Sequence, residues 1–578
     1  MAEYPYLQPS PGTREICTEF SGLNRCGDGL PGQLWDCENL SSRHYPRLSV
    51  RKLRGLMRRM KQPGGLLGRE QLYSVEEGRL LRDGEPTGLE GISPGEKQLV
   101  SMGAYVCVFP DKLYYNSADP ADFGSMEAHY SSSGTVEYSL CMLDGSLYAE
   151  PLRADSPPAQ PAPAALWLDS SGERDVLRQW SEATEQWVEL TAVYTKLSFI
   201  SSGEIPALFS QLDGVELSGC AQAQFNGNHV IYALGGGGGQ QDFIVLQGLL
   251  PQAFTQSEGS VSIRRTVPEM DYVCQSGNRL WGCRFGGGVN ELYCCVLGDF
   301  KNWQRYLGLS TDSWRASVGS AGQWTGALSY MDSPCFFKED GIHRISVSPQ
   351  GAHRVSSMAC PGIQSGSAAS ALVSEGAVYY KGREGVYVWQ GGIPRLISRE
   401  LGGELFSNAA AGALGDYYYI AMDDSSGQRS LYVFDKLRQL WLREDSLAAR
   451  QFAAVGDELY CMAGDCLWAL LGSRGEKEPF VRWRADSCLI GCREPNRKYV
   501  SRFKLRLWME EGAQLQLYLR YDSQGDWLYR GEIKQRGRGS FQLPLIPGRC
   551  DHMQLRLCGK GDIRLLGMSR VVERGGDW

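Results

Sequence analysis

The chain has 578 residues, 42% of them hydrophobic, with 70 Gly, 28 Tyr, 15 Trp and a formal net charge of −7. That length exceeds one ordinary domain and predicts about three or four units, unless a repeat architecture absorbs it. The Gly and aromatic content favours a turn-dense all-β protein, and the mild acidity excludes the strongly basic domain of a dedicated nucleic-acid binder.

The opening residues, MAEYPYLQPSPGTRE, lack the basic and apolar blocks of a signal peptide, and no run approaches eighteen apolar residues, so no membrane span is expected. The 18 Cys are scattered without the spacing of a disulfide framework and read as free thiols of a reducing cytoplasm. From Phe20 to Gly55 the Gly, Asn, Pro and Ser content predicts an extended, turn-rich path, and residues 1–62 are read as an extended arm. Arg43, Arg47, Arg51, Lys52, Arg54, Arg58, Arg59 and Lys61 fall in this arm with no Asp or Glu among them. On an acidic chain such an arm is a candidate contact with a neighbouring subunit. DNA phosphate is the second reading, and a solvated face the plain one. Its deletion is expected to leave the rest of the chain folded.

Residues 63–119 contain two blocks of short strands, GLLGREQLYSVEEGRLLRDG and KQLVSMGAYVCVFPDKLYYN. Residues 120–260 differ in character. They include a Pro/Ala linker over 151–167, three tryptophans (Trp167, Trp180, Trp187), a small helix expected near Arg174 to Ser181, and a Gly235 to Gly239 run. That run reads as a hairpin tip, since a phosphate loop would continue with Lys-Ser/Thr and a helix. The whole segment is expected to form a compact β-rich insertion.

From Ser262 to Trp389 at least five Val/Tyr/Trp/Phe-rich runs alternate with Gly, Asn or Asp turns. Aromatic residues recur from Phe336 to Tyr379, Tyr418 and Tyr460 at a step of about forty, the period of four-stranded propeller blades. At the C-terminus Phe503, Leu505 and Leu507, then Leu515, Leu517 and Leu519, alternate strictly, which predicts sheets with one buried face. The fold class is therefore all-β: a β-propeller-like core (63–119 and 261–471), an inserted small β-barrel-like domain (120–260) and a C-terminal β-sandwich (472–578).

Asp271, Asp299, Asp312, Asp332 and Asp340 sit beside aromatics, as a glycosidase pair would, but each lies in a turn context where Asp accepts from backbone N–H groups. Cys488, Cys492, Cys550, His552 and Cys558 are conceivable zinc ligands with poor spacing for a zinc knuckle, and buried thiols are preferred. No nucleophile elbow or dinucleotide fingerprint is present. No catalytic residue, metal or cofactor is assigned, and the expectation is a chain that is not an enzyme.

The combination of FSGLN, ENLSSRHYPRLSVR, KQLVSMGAYVCVFPDKLYYN, RTVPEMDYVCQSGNRLWGC, GDFKNWQRYLGLSTDSW, TGALSYMDSPCFFKEDGIHRI and PGRCDHMQLRLCGKGDIRLLGMSR resembles structural proteins of phages and prophages of anaerobic Gram-positive bacteria. More distantly it is similar to the β-propeller tail-nozzle or tail-hub proteins of short-tailed phages, with Gly298, Asp299, Asn302, Trp303, Asp312, Phe336, Phe337 and Lys338 at the matching positions. The long insertion and the C-terminal sandwich depart from that pattern. The resemblance implies a virion component made in the host cytoplasm and placed in the tail or head-to-tail region. Its partners would be further copies in a ring around the DNA path, neighbouring tail or connector proteins, and DNA in transit. A receptor- or carbohydrate-binding tail protein is the alternative, and a propeller glycoside hydrolase a weaker one.

Overall fold

Among the described residues, seven antiparallel sheets, six of four strands and the seventh of five, follow one another in a ring, a β-propeller. The structure is a computed structural model and describes residues 12–27, 29–348, 351–491, 497–543 and 548–574. The innermost strands of blades 1 to 7 are Gly65–Gly68, Gln98–Met102, Tyr272–Ser276, Gly326–Tyr330, Leu372–Ser374, Ser407–Leu414 and Ala449–Val455. Each packs beside the next, and the seventh beside the first, so the ring closes. Phe336, Tyr379, Tyr418 and Tyr460 lie on the second strands of blades 4, 5, 6 and 7, which is the physical origin of the forty-residue step. These strands are buried on both faces because each is sandwiched between neighbouring blades. Phe336 packs toward blade 3, while Phe337, the next residue, packs toward blade 5.

Closure uses the N-terminus. The fourth strand of blade 7 is Gly55–Arg59, paired antiparallel with Cys466–Ala469 on one side and with the two-residue strand Glu476–Lys477 on the other. Upstream, Gly22–Leu23 and Gln33–Glu38 join Arg482–Ser487, Gln514–Tyr521, Leu528–Ile533 and Met553–Lys560 in one sheet. Thr13–Cys17, Leu40–Ser41 and Leu48–Val50 join Lys498–Met509, Gly537–Gln542 and Ile563–Arg574 in the other. The C-terminal sandwich is thus built from both ends of the chain. Phe503, Leu505, Leu507, Leu515, Leu517 and Leu519 fill its interior, continuous with the apolar side of blade 6.

The expected extended arm is corrected accordingly. Residues 12–27 and 29–61 are structured, while residues 1–11 and 28 lie outside the described residues. Arg54 is buried and donates to Glu444 (2.7 Å) and Asp445 (2.7 Å). Arg51 reaches Glu478 at 2.7 Å, Arg58 pairs with Glu76, and Arg43 bonds the Tyr419 hydroxyl at 3.0 Å. With Lys61, which reaches Glu77 at 3.4 Å, five of the eight cations are therefore partnered inside their own chain by groups outside the run. Arg47, Lys52, Arg59 and Lys61 remain exposed.

The insertion lies between blades 2 and 3, from Ala128–Ser131 to Ser262–Arg265, two strands that pair with each other. It has a four-stranded and a five-stranded sheet around one core that includes Tyr138, Phe199 and Phe225. A third, smaller sheet runs over Leu152–Ala154, Leu166–Asp169, Val176–Ser181 and Gln186–Glu189. The helix expected near Arg174 to Ser181 is a strand. Trp180 faces Trp187 across that hairpin with ring centroids 5.6 Å apart, and such cross-strand aromatic pairing outweighs helix propensity. The Gly235 to Gly239 run forms a strand end and the tip of the hairpin to Gln240–Gln247.

Removing one partner of a buried ion pair costs about 3–5 kcal/mol. Arg54→Ala is therefore expected to lower the unfolding free energy by about that amount in denaturant titration, whereas Lys52→Ala should change it by less than about 0.5 kcal/mol. Deleting residues 2–62 removes strands from both sandwich sheets and from blade 7. The expected product is insoluble, and a soluble, cooperatively unfolding truncation would contradict this closure.

Candidate functional site

Five of the eight positions that carry the phage-protein resemblance, Gly298, Asp299, Asn302, Trp303 and Asp312, lie on one long connection, residues 295–313, between the third and fourth strands of blade 3, and Phe336, Phe337 and Lys338 lie on the second strand of blade 4. Its sequence, CVLGDFKNWQRYLGLSTDS, has no strand periodicity and is held in shape from several sides. The Arg279 guanidinium, buried at the start of the second strand, donates to the carbonyls of Cys295 (3.0 Å), Asp312 (2.7 Å) and Ser310 (2.6 Å). Asp312 accepts from the backbone N–H of Leu307 (2.5 Å) and Leu309 (2.9 Å) and from Arg305 Nε at 3.0 Å. Asp299 caps its own turn by accepting from Lys301 N–H at 3.1 Å, and burial raises its pKa. Trp303 donates its indole N–H to Phe300 O at 2.8 Å, and Phe300 packs on Tyr105 and Tyr114 of blade 2.

This connection is the socket of the inserted domain. Asn302 is fully buried, its carboxamide oxygen accepting from Gly214 N–H (3.1 Å) and its NH₂ donating to Leu212 O (3.0 Å). Gln304 donates to Thr266 Oγ1 at 2.6 Å. A Cβ at Gly214 would lie 2.4 Å from the Gln304 backbone, so only glycine permits this approach. Beside it the buried pair Arg265 and Asp213 (2.5 Å) ties the returning strand to the same turn. Asn302, Trp303 and Asp312 were legible as a motif. Arg279, Arg265 and Asp213 were not, because their partners lie far off in sequence.

Lys338 belongs to a second feature, a cleft of about 620 Å³ between blades 4 and 5. Its ammonium is buried, donates to Ser320 O at 2.7 Å and Ala321 O at 3.2 Å, and sits 4.4 Å from the centre of the Trp324 ring. Burial lowers its pKa. Lys381, at the matching place in blade 5, donates to Gln364 Oε1 at 2.8 Å, and burial brings it down to about 8. The cleft mouth carries Glu339, which accepts from Ser365 N–H and pairs with Arg383 at 2.5 Å, and Glu384, which accepts from Tyr387 OH at 3.1 Å. The hydrogen bond from Ser365, together with Arg383, holds the Glu339 carboxyl below the usual range. His343, in the wall behind, is pushed down to about 4 by burial, reinforced by Lys338.

Of the other acids, Asp271 pairs with Arg284 at 2.9 Å and accepts from Phe285 N–H, and Asp332 and Asp340 occupy blade 4 turns. None of the seven innermost strands carries Asp or Glu. Among the described residues no three His, Cys, Asp or Glu side chains group as metal ligands. Cys488 and Cys550 donate to the carbonyls of Asn24 and Lys498, His552 faces Asp551 and Ser523, and Cys492 lies outside the described residues.

Two outcomes follow. Asn302→Ala leaves a buried N–H and a buried carbonyl unpaired, each costing about 1–3 kcal/mol. Hydrogen exchange at residues 212–214 should accelerate at least tenfold while the sandwich is unchanged. His343 binds a proton more weakly in the folded than in the unfolded state, so the stability it contributes is complete above pH 6.5 and is lost as pH falls toward 4. Denaturant midpoints measured across that window should fall, and fall less steeply in His343→Gln.

No family model matches the chain, and no curated protein matches it. Similar solved structures include exo-beta-1,3-galactanase from Phanerochaete chrysosporium, at 8% identity, covering 52% of this chain and 94% of that one with a TM-score of 0.22. Dihydro-heme d1 dehydrogenase NirN is 11% identical, with 58% and 76% covered and a TM-score of 0.25. The Bombyx mori GH32 beta-fructofuranosidase BmSUC1 is 7% identical, with 53% and 92% covered and a TM-score of 0.17. The expectation that the chain is not an enzyme is corrected by this company, in which glycoside hydrolases recur. At such identities the likeness concerns the fold alone and assigns no activity or substrate, and what stands is an all-β chain with a propeller core.

Proposed function

We propose that the chain is a structural component of a phage or prophage particle, in the tail or head-to-tail region, repeating as a ring around the DNA path. The observation that carries this reading is the socket. The GDFKNW…D text that resembles nozzle and hub proteins is spent on fixing an inserted domain to the propeller through Asn302. A propeller that holds a second domain rigidly at its rim suits a scaffold that presents surfaces to neighbours. The interlocked sandwich, which gathers both chain ends, serves the same end. Neighbouring tail or connector proteins are its further partners, and DNA passes without being held.

A second reading, carbohydrate binding by the tail, is supported by the outer sheet of the insertion. The half-buried Trp180 and Trp187 share one face with ring centroids 5.6 Å apart, backed by the buried Trp167 at 5.5 Å from Trp187 and by the ion pair of Arg178 and Asp169. Indole faces stack on the apolar sides of sugar rings. Titrating host cell-wall glycan while following tryptophan fluorescence should then give saturable quenching that Trp187→Ala removes, and no quenching would dismiss this reading.

Mass spectrometry and imaging of purified particles from the source phage or prophage test the first reading. Several copies per particle, arranged as a ring on the tail axis, are expected. Absence of the protein from purified particles would sink the proposal.

A further inference from the structure

A four-stranded blade returns the chain to the face it entered by. Turns between first and second strands, and between third and fourth, therefore lie on one face of the ring. Second-to-third turns and interblade links lie on the other. Exposed large apolar side chains obey this division in blades 3 to 6. On the first face stand Leu297 and Leu309 of blade 3 and Met331 and Val347 of blade 4. Val373 and Ile393 of blade 5 and Leu437 of blade 6 continue the series. On the second face of these blades Leu405 alone is comparable among the described residues. The matching first-face turns of blades 7, 1 and 2 read Gly456-Asp457, Arg69-Glu70-Gln71, Asp83-Gly84 and Gly103-Ala104, and among the described residues Phe123 and the less exposed Leu53, ahead of the fourth strand of blade 7, are the large apolar side chains exposed at this end. Half of one face is apolar and the other half is not.

The most prominent member is Ile393, 87% exposed on the Gly391-Gly392-Ile393-Pro394 turn, a stud with no neighbour in its own chain to cover it. The same chain also carries a hollow that suits a stud. On the inserted domain Met142, Leu143, Ala233 and Leu234 surround a depression of about 510 Å³, with Asp144 and Gln211 at its edge. Met142 and Leu143 are 44% and 51% exposed, on a loop fixed by the Met142 N–H to Ser146 O hydrogen bond at 2.8 Å. The seven apolar side chains of the half-face expose on the order of 700 Å², close to the ~800 Å² that each partner buries in a standard stable interface.

We infer that the apolar half-face of blades 3 to 6 docks the inserted domain of a second copy of this chain, with Ile393 seated in the hollow between Met142 and Leu234. Stud and hollow are different surfaces of one chain, so the contact is head-to-tail and each copy keeps one of each free until the ring closes. The inference rests on the ring reading above and names the surfaces that make the ring.

The test uses the full chain with a photo-crosslinking residue in place of Ile393, together with Ile393→Asp and Leu143→Asp variants. Both substituted side chains are exposed, so folding should be unchanged by circular dichroism. Crosslinks to residues 142–144, 211 or 233–234 of another copy are expected, and each Asp variant alone should weaken self-association about tenfold or more. Mixing the two Asp variants leaves one intact stud and one intact hollow per pair, and should restore a dimer and nothing larger. Crosslinks to the propeller of a second copy, absence of crosslinks, or no dimer on mixing would each overturn the inference. If particles contain the protein as a ring but position 393 crosslinks to a different protein, this docking fails and the virion reading survives. If chains dock as described but particles lack the protein, the reverse holds.

Discussion

The Arg54 guanidinium, held between Glu444 and Asp445, is the interaction on which the architecture turns. It lies one residue before the strand that completes blade 7, and its partners lie just after the last strand of blade 6. The ion pair therefore fixes the N-terminal strand at the seam between two blades. Without that strand the edge of blade 7, Cys466–Ala469, would present unpaired N–H and carbonyl groups. Both acids are needed to offset the cost of burying the cation, and Asp445 is in turn held ionised, its pKa lowered mainly by Arg54. Next to the seam, Asp36 gathers Arg25, Arg443 and Arg484, joining blade 6 to the sandwich with the same chemistry.

Elsewhere the buried cations do something different. Arg279, Lys338 and Lys381 are not matched by adjacent carboxylates. They donate to backbone carbonyls, or to a carboxamide, in the irregular connections that cross between strands and blades. Those connections have no ladder to satisfy their carbonyls, and a buried donor supplies the missing partner. The penalty of burying the charge appears in the lowered pKa of both lysines. Loops as long as 295–313 acquire by this means a single conformation precise enough to grip a second domain.

What the sequence reveals follows from how far each signal travels along the chain. The aromatic step through Phe336, Tyr379, Tyr418 and Tyr460 is visible because each blade repeats its own local pattern. The alternation at Phe503 to Leu519 is visible because a half-buried strand shows its period in a few residues. Ring closure is hidden, since nothing in GLMRR announces a partner at Cys466–Ala469. The basic run was misread for the same reason: its acids, Glu444, Asp445 and Glu478, lie in another part of the text. ERDVLRQWSEA has helical composition, and only the pairing of Trp180 with Trp187 makes it a strand. For the socket, the motif residues could be found in sequence but their task could not, because Asn302 acts on Leu212 and Gly214 in a different domain.

The interlocking of both ends also sets the order of events on the ribosome. The strand Gly55–Arg59 leaves the exit tunnel early, and its partner follows roughly 400 residues later, on the order of 20–80 s at elongation rates of about 5–20 residues per second. The early strands of the sandwich wait longer still, for Lys498–Met509 and Ile563–Arg574. Throughout that interval Gln33–Glu38, Leu48–Val50 and Gly55–Arg59 lack their long-range partners, and like charges along such a segment repel one another. Arg54 likewise meets Glu444 and Asp445 only after some 390 further residues have been made, so its charge stays in water until the seam it ties together exists.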